Sequence, residues 1–175
     1  MSRRIAILIA SLLAGLGAHA AEPATIYPRS LIVVSDIESS KRFYSYGLGW
    51  TVTRDGPIAD KITFKHLGIP DTHTARIVVV EPAKSLYGKP REGAVLALLQ
   101  IDNPKPPKAG APANLAIGQH VLAVRTDDIK TVIARLKEIG AAFAVDPVET
   151  PDGLIEMSVL DPDGVRLQIN QRPDR

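Results

Sequence analysis

From Ile129 to Ile139 the apolar residues stand at Ile129, Val132, Ile133, Leu136 and Ile139, the spacing of one stripe along a helix. Asp127 or Asp128 precedes the stripe and supplies an oxygen to cap the free N–H groups of the first turn. Gly140 follows it, where a left-handed residue ends a helix. A weaker copy lies upstream. Ile37, Phe43, Tyr44 and Leu48 form its inner side, Ser35 or Asp36 caps it, and Gly47 or Gly49 ends it. Each helix is preceded by a β-branched, apolar strand, in "SLIVV" and in "HVLAV". Further strands are expected at Trp50–Arg54, Ala75–Glu81 and Ala94–Ile101, and then at Ala142–Val148, Leu154–Leu160 and Val165–Asn170. Ile58–Leu67 reads as a short helix or a strand, with the helix preferred. Both halves are therefore βαβββ, and their last strands share a tripeptide in "LLQI" and "RLQI". The Pro- and Ala-rich stretch 103–117 between them reads as a linker. The expectation is an α+β fold of two repeated units related by a pseudo-twofold axis, about 27–102 and 118–172.

The start of the chain has a different character. Met1-Ser2-Arg3-Arg4 is basic, Ile5 to Gly17 is apolar or small except Ser11, and Ala18-His19-Ala20 is a small-x-small site. These are the three parts of a secretory signal peptide over 1–20, and the 13-residue apolar run is short for a bilayer span. The expectation is an exported protein, periplasmic or secreted, with no stable membrane insertion after processing. Loss of Arg3 and Arg4 lowers Lys+Arg from 21 to 19 against 19 Asp+Glu, so the processed chain is near neutral. It has no basic block interleaved with aromatics, which argues against nucleic acid as a partner. With no cysteine, stability must come from packing.

Two motifs carry a resemblance. "VVSDIESSKRFYSYGLGW" (Val33 to Trp50) resembles the V-x-D-l-x-x-S-x-x-F-Y-x-x-x-L-G opening of the vicinal oxygen chelate superfamily, and "DPDGVRLQI" (Asp161 to Ile169) is similar to its D-P-D-G-n-x-i-E-l closing. That superfamily includes glyoxalase-type lyases, epimerases, extradiol dioxygenases and bleomycin-resistance binding proteins. The resemblance implies two βαβββ modules whose sheets curl around an open cavity, with the helices outside. In metal-using members, two His and one or two Glu lie at the start of the first strand and near the end of the last strand of each module. The metal there chelates neighbouring oxygens of a substrate and stabilises an oxyanionic intermediate.

Carried over by motif, the first His position falls on Arg29, and the two Glu positions fall on Gln100 and Gln168. Arginine has no lone pair to give, and an amide oxygen suits calcium better than zinc or iron. The second His position is His120 if Asp127 precedes the helix and Val121 if Asp128 does. The Asp128 register is preferred because Asp128-Ile129 then matches Asp36-Ile37. No metal or other cofactor is expected, and a divalent metal on His120 and Gln168 is the alternative. His66 and His73 read as solvent-facing.

Strand alternation places Arg29, Leu31, Val33, Leu98, Gln100, Ala123, Arg125, Arg166, Gln168 and Asn170 towards the cavity. Ile32, Val34, Leu99, Ile101, Leu167 and Ile169 would face the helices. Arg29, Gln100, Arg125 and Gln168 are thus the ligand-binding candidates, with Gln100 and Gln168 a symmetric pair, for a small organic anion or an oxygen-rich molecule. The catalytic residues are unassigned. A glyoxalase-like lyase, isomerase or dioxygenase is the competing reading, with Glu149, Glu156 or Tyr87 as a base. Association of two chains as a homodimer is a further expectation from the resemblance and from open sheet edges.

Overall fold

The computed structural model describes residues 27–90, 94–107 and 118–172. The leader 1–20 and most of the expected linker lie outside the described residues. Module one contains β1 (Arg29–Val33), α1 (Ile37–Arg42) running on as a π-helical turn (Phe43–Gly47), β2 (Thr51–Pro57), α2 (Lys61–Leu67) and β3 (Thr74–Glu81). A two-stranded hairpin, β4 (Ser85–Leu86) and β5 (Lys89–Pro90), precedes β6 (Val95–Asp102). Module two contains β7 (Val121–Arg125), α3 (Ile129–Glu138), β8 (Ala142–Glu149), β9 (Ile155–Leu160) and β10 (Arg166–Gln171). The two main sheets have the same order, β1-β6-β3-β2 and β7-β10-β9-β8. In each the first strand lies parallel to the last, at the edge of its sheet. This is the expected pair of βαβββ modules, in a mixed α+β architecture.

Local chemistry explains the helix positions. Asp36 accepts from Glu38 N at 3.0 Å and Ser39 N at 3.3 Å. Asp128 accepts from Thr131 N at 3.0 Å and Thr131 Oγ1 at 2.6 Å. Both carboxyls are held below the usual aspartate range, chiefly by these hydrogen bonds from Ser39 and from Thr131. Gly140 adopts a φ of +70° just past α3, where Ala141 N bonds to Leu136 O and closes the last turn. α2 is a helix, capped by Asp60 and ended by the left-handed Gly68.

One core serves both modules. Ile37, Phe43 and Tyr44 join Val78, Val80, Leu96 and Leu98 of the first sheet, and the same cluster contains Ile129, Leu136, Met157, Val159, Leu167 and Ile169. The π-helical turn and α3 are in direct contact. A Cβ on Gly47 would stand 2.9 Å from Leu136 Cδ2, so glycine allows the close approach. Polar contacts cross the same joint. Ser35 donates to Asp163 through its backbone N at 2.9 Å and its hydroxyl at 2.6 Å. Tyr44 Oη donates to Asp161 Oδ2 at 2.9 Å.

The opposite face is closed in one module only. Phe64 and Ile69 pack on Ala75 and Leu99, and Ile58 packs beside Ile77, Val79 and Ala97. The segment around α2 thus covers the open face of the first sheet. Among the described residues nothing comparable covers the second, since β8 and β9 are joined by a short turn.

Candidate functional site

The strand registers sort the residues into faces. Leu31 pairs with Ala97 and Val33 with Leu99, so Ala97, Leu99 and Ile101 share the open face with Arg29, Leu31 and Val33. This corrects the expectation for β6: Leu98 and Gln100 lie on the helix side, while Leu99 and Ile101 lie on the open side. In the second sheet Gln168 pairs with Ala123 and Asn170 with Arg125, so Ala123, Arg125, Arg166, Gln168 and Asn170 share the open face as expected.

The Gln100/Gln168 symmetry is also corrected. Gln100 Oε1 accepts from Ile37 N at 2.8 Å, at the start of α1, and its Nε2 donates to Asp102 at 2.9 Å. The equivalent bond in module two is Ile129 N to Gln171 Oε1 at 2.7 Å. Gln100 and Gln171 are therefore the symmetric pair, each tying the last strand to the first helical N–H. The shared tripeptide suggested a register three residues away, and an odd shift turns a side chain to the other face. The true counterpart of Gln168 is Ala97, since Ala97 and Gln168 pair with the equivalent residues Leu31 and Ala123.

The positions that the resemblance marks for metal ligands can be followed through the strand registers. Asp128 caps α3, so the first-strand position of module two is Val121, equivalent to Arg29. The four positions hold Arg29, Ala97, Val121 and Gln168: a guanidinium, a methyl, an isopropyl group and an amide. That set does not fit a His/Glu metal centre. Gln168 Nε2 donates to Glu156 Oε2 at 3.3 Å, which turns the amide's donor end, not its oxygen, to that carboxylate. Among the described residues no three His, Asp or Glu side chains converge as metal ligands would.

A cavity of about 1150 Å³ lies along the seam between the modules, bordered by the two edge strands β1 and β7. Of the expected candidates, Arg125 lines it, and so do Arg166 and His120; Arg29, Gln100 and Gln168 do not. His120 is exposed and stands at the rim, one residue before β7. His66 is exposed and His73 is half-buried beside Thr72. Arg125 Nε donates to Asn170 Oδ1 at 3.1 Å. Three acids also line the cavity, each already accepting from protein donors: Asp127 from Tyr87 N, Asp128 from the first turn of α3, and Asp163 from Ser35.

Sequence reasoning missed two features of this site. The β4–β5 hairpin crosses from module one to module two, and Pro82, Ala83, Ser85 and Leu86 line the cavity. Tyr87, at a φ of +52°, pins the hairpin: its hydroxyl donates to Thr126 O and Arg172 O. This bonding sets Tyr87 in a fastening role. The second feature is Trp50, which lines the cavity and lies at 5.7 Å, ring to ring, from the buried Tyr44. The glycine of "SLYGK" (Ser85 to Lys89) marks a turn, but nothing local says which module it will reach.

Beneath the cavity's turn 163–165, Asp161 is 4% exposed. Its Oδ1 accepts from Asp163 N at 2.9 Å and Val165 N at 2.8 Å, and Tyr44 holds its Oδ2. Burial pushes the Asp161 carboxyl up and the three donors partly offset it. The Tyr44 hydroxyl is pushed well above its usual range, first by burial and then by the Asp161 charge. The pair is structural: it seats the D-P-D-G turn on α1's extension.

Comparison with known proteins agrees with this geometry. The structure is similar to a glyoxalase family protein from Bacillus cereus, with a TM-score of 0.71 at 16% identity, over 88% of this chain and 98% of that one. It is also similar to the trypanothione-dependent glyoxalase I of Leishmania major, with a TM-score of 0.53 at 19% identity, over 85% and 87% of the two chains. Against glyoxalase I from Zea mays the TM-score is 0.54 at 16% identity, over 85% of this chain but 45% of that one. These likenesses show a shared fold. No curated protein sequence matches the chain. A family model does, and it spans residues 19–169, from before β1 to the middle of β10. With all but the last two residues of the two βαβββ units inside that span, this chain belongs to the glyoxalase/bleomycin resistance protein/dioxygenase superfamily.

Proposed function

We propose that the protein is exported and binds a small organic molecule, anionic or rich in oxygen, in the cavity between its two modules, without a conventional His/Glu metal centre. The observation that carries this reading is the donor set at the fold's four metal positions, Arg29, Ala97, Val121 and Gln168. It offers a metal one amide oxygen and no imidazole or carboxylate. What the cavity offers instead is apolar wall and guanidinium, which suits recognition of an anion. The basic, apolar and small-residue segments of 1–20 support export. Pairing of two chains is compatible with the exposed edges and is proposed at the same level.

The test is metal analysis by mass spectrometry on processed protein purified without chelator, with thermal shift against divalent cations and small carboxylates. Stabilisation by carboxylates with no metal retained agrees with the proposal. One transition metal held per chain would sink it. That result would favour the second reading, a glyoxalase-like lyase, isomerase or dioxygenase, whose supporting observation is His120 at the cavity rim.

A further inference from the structure

The cavity is not confined to the open face. Its wall includes Leu31, Ala123 and Arg125 from that face, but also Ile32, Leu96 and Trp50. Those last three belong to, or pack against, the core on the helix side of the sheets. Residues on opposite faces of a strand can line one cavity only where the cavity passes around the strand's edge. β1 pairs only with β6 and β7 only with β10, and no hydrogen-bonded ladder joins the two sheets among the described residues. The seam is therefore a slot that runs from the open face, between two sheet edges, to an inner end beside Trp50.

The chemistry differs between its ends. The end beside Trp50 is lined by Ile32, Leu48, Leu96 and Val132, with the Arg135 guanidinium beside Gly49 at its margin. On the open face, Arg125 has no carboxylate partner among the described residues, and its one hydrogen bond, from Nε to Asn170, leaves the outer fork of the guanidinium for a ligand. The lining aspartates, Asp127, Asp128 and Asp163, are held by protein donors, whereas the outer fork of Arg125 is directed to no protein acceptor among the described residues.

We infer that the slot takes an amphipathic organic anion: a carboxylate on Arg125 with a hydrocarbon body threaded between β1 and β7 to Trp50. This rests on the reading of the cavity as a binding site and narrows it to a ligand class.

Trp50 is the single tryptophan, so intrinsic fluorescence reports on the inner end alone. The full chain would be titrated with butyrate, hexanoate, octanoate and decanoate, below micelle-forming concentrations, with decanol and inorganic phosphate as controls and calorimetry as a second readout. The expected result is a saturable change in Trp50 emission, with affinity rising roughly threefold to fourfold for each added methylene. Decanol and the Arg125→Gln variant with decanoate should each bind at least about tenfold more weakly. Binding of butyrate or phosphate as tight as that of decanoate would overturn the inference while leaving an anion-binding cavity intact. Decanoate affinity unchanged in Arg125→Gln would overturn the placement of the head group and with it the inference. Failure of every anion to bind would overturn both this inference and the anion-binding form of the function it refines.

Discussion

Tyr44 and Asp161 form a buried hydrogen bond across the joint between the modules. Both are buried, and the Tyr44 hydroxyl is one of three donors to that carboxylate. Tyr44→Phe keeps the ring and removes a single donor, so it should cost about 1–3 kcal/mol at neutral pH, measured by urea unfolding. The Tyr44 bond favours the charged form, so its loss raises the Asp161 carboxyl further. The deficit should therefore be largest at neutral pH and shrink in acid, where Asp161 is protonated. A deficit that is constant with pH would show that the hydroxyl acts through packing alone. The helix caps run the other way. Asp36, Asp60 and Asp128 are held below the ordinary aspartate value, each through hydrogen bonds to its own helix start. A depressed folded value gives stability that is present above the unfolded value near 3.8 and is lost as pH falls through the folded one. Stability should drop on acidification below about pH 4, and Asp36→Asn should flatten that slope. The caps were legible in the sequence because a cap acts over three residues. Gln100 was not, because its partner, Ile37 N, lies 63 positions away.

At the scale of elements, α3 was the most readable and α1 the least regular. The apolar stripe of α3 matches its buried residues Ile129, Val132 and Leu136. The extension of α1 is a π-helical turn, which places Phe43, Tyr44 and Gly47 on the buried side together. Gly47 meets Leu136 Cδ2 and Ile139 Cδ1, at 2.9 Å and 3.3 Å from the Cβ it lacks. Gly47→Ala should therefore destabilise by about 1–3 kcal/mol despite alanine's higher helix propensity, seen as a lower urea midpoint. A stabilised variant would mean that the two helices separate at little cost. The β6 faces were misassigned from sequence for a related reason. "LLQI" and "RLQI" look alike, yet β1 sets the register of β6 and β7 that of β10, and the two tripeptides end three positions out of step. "VLALLQI" (Val95 to Ile101) is apolar on both sides because α2 covers one face and α1 the other, so alternation left no mark.

For the whole molecule, the shared core decides how it behaves. Both main sheets, α1 with its π-helical extension, and α3 contribute to one cluster, so neither module holds a separate core on the helix side. Unfolding should be a single cooperative transition, with circular dichroism and Trp50 fluorescence giving coincident curves. Two resolved transitions would show that the modules fold independently. The sequence by itself determined the duplicated βαβββ pattern, the helix caps, the superfamily and the residue types, guanidinium and amide, at Arg29 and Gln168. All of these follow from periodicity, short-range hydrogen bonding or residue type. Only the tertiary structure decided that Gln100 ties down a helix, that Ala97 occupies the remaining ligand position, and that the cavity passes between two sheet edges to Trp50. Register and the placement of edges are fixed by contacts between segments far apart in the chain, and strand alternation alone does not say which residues of different strands stand side by side.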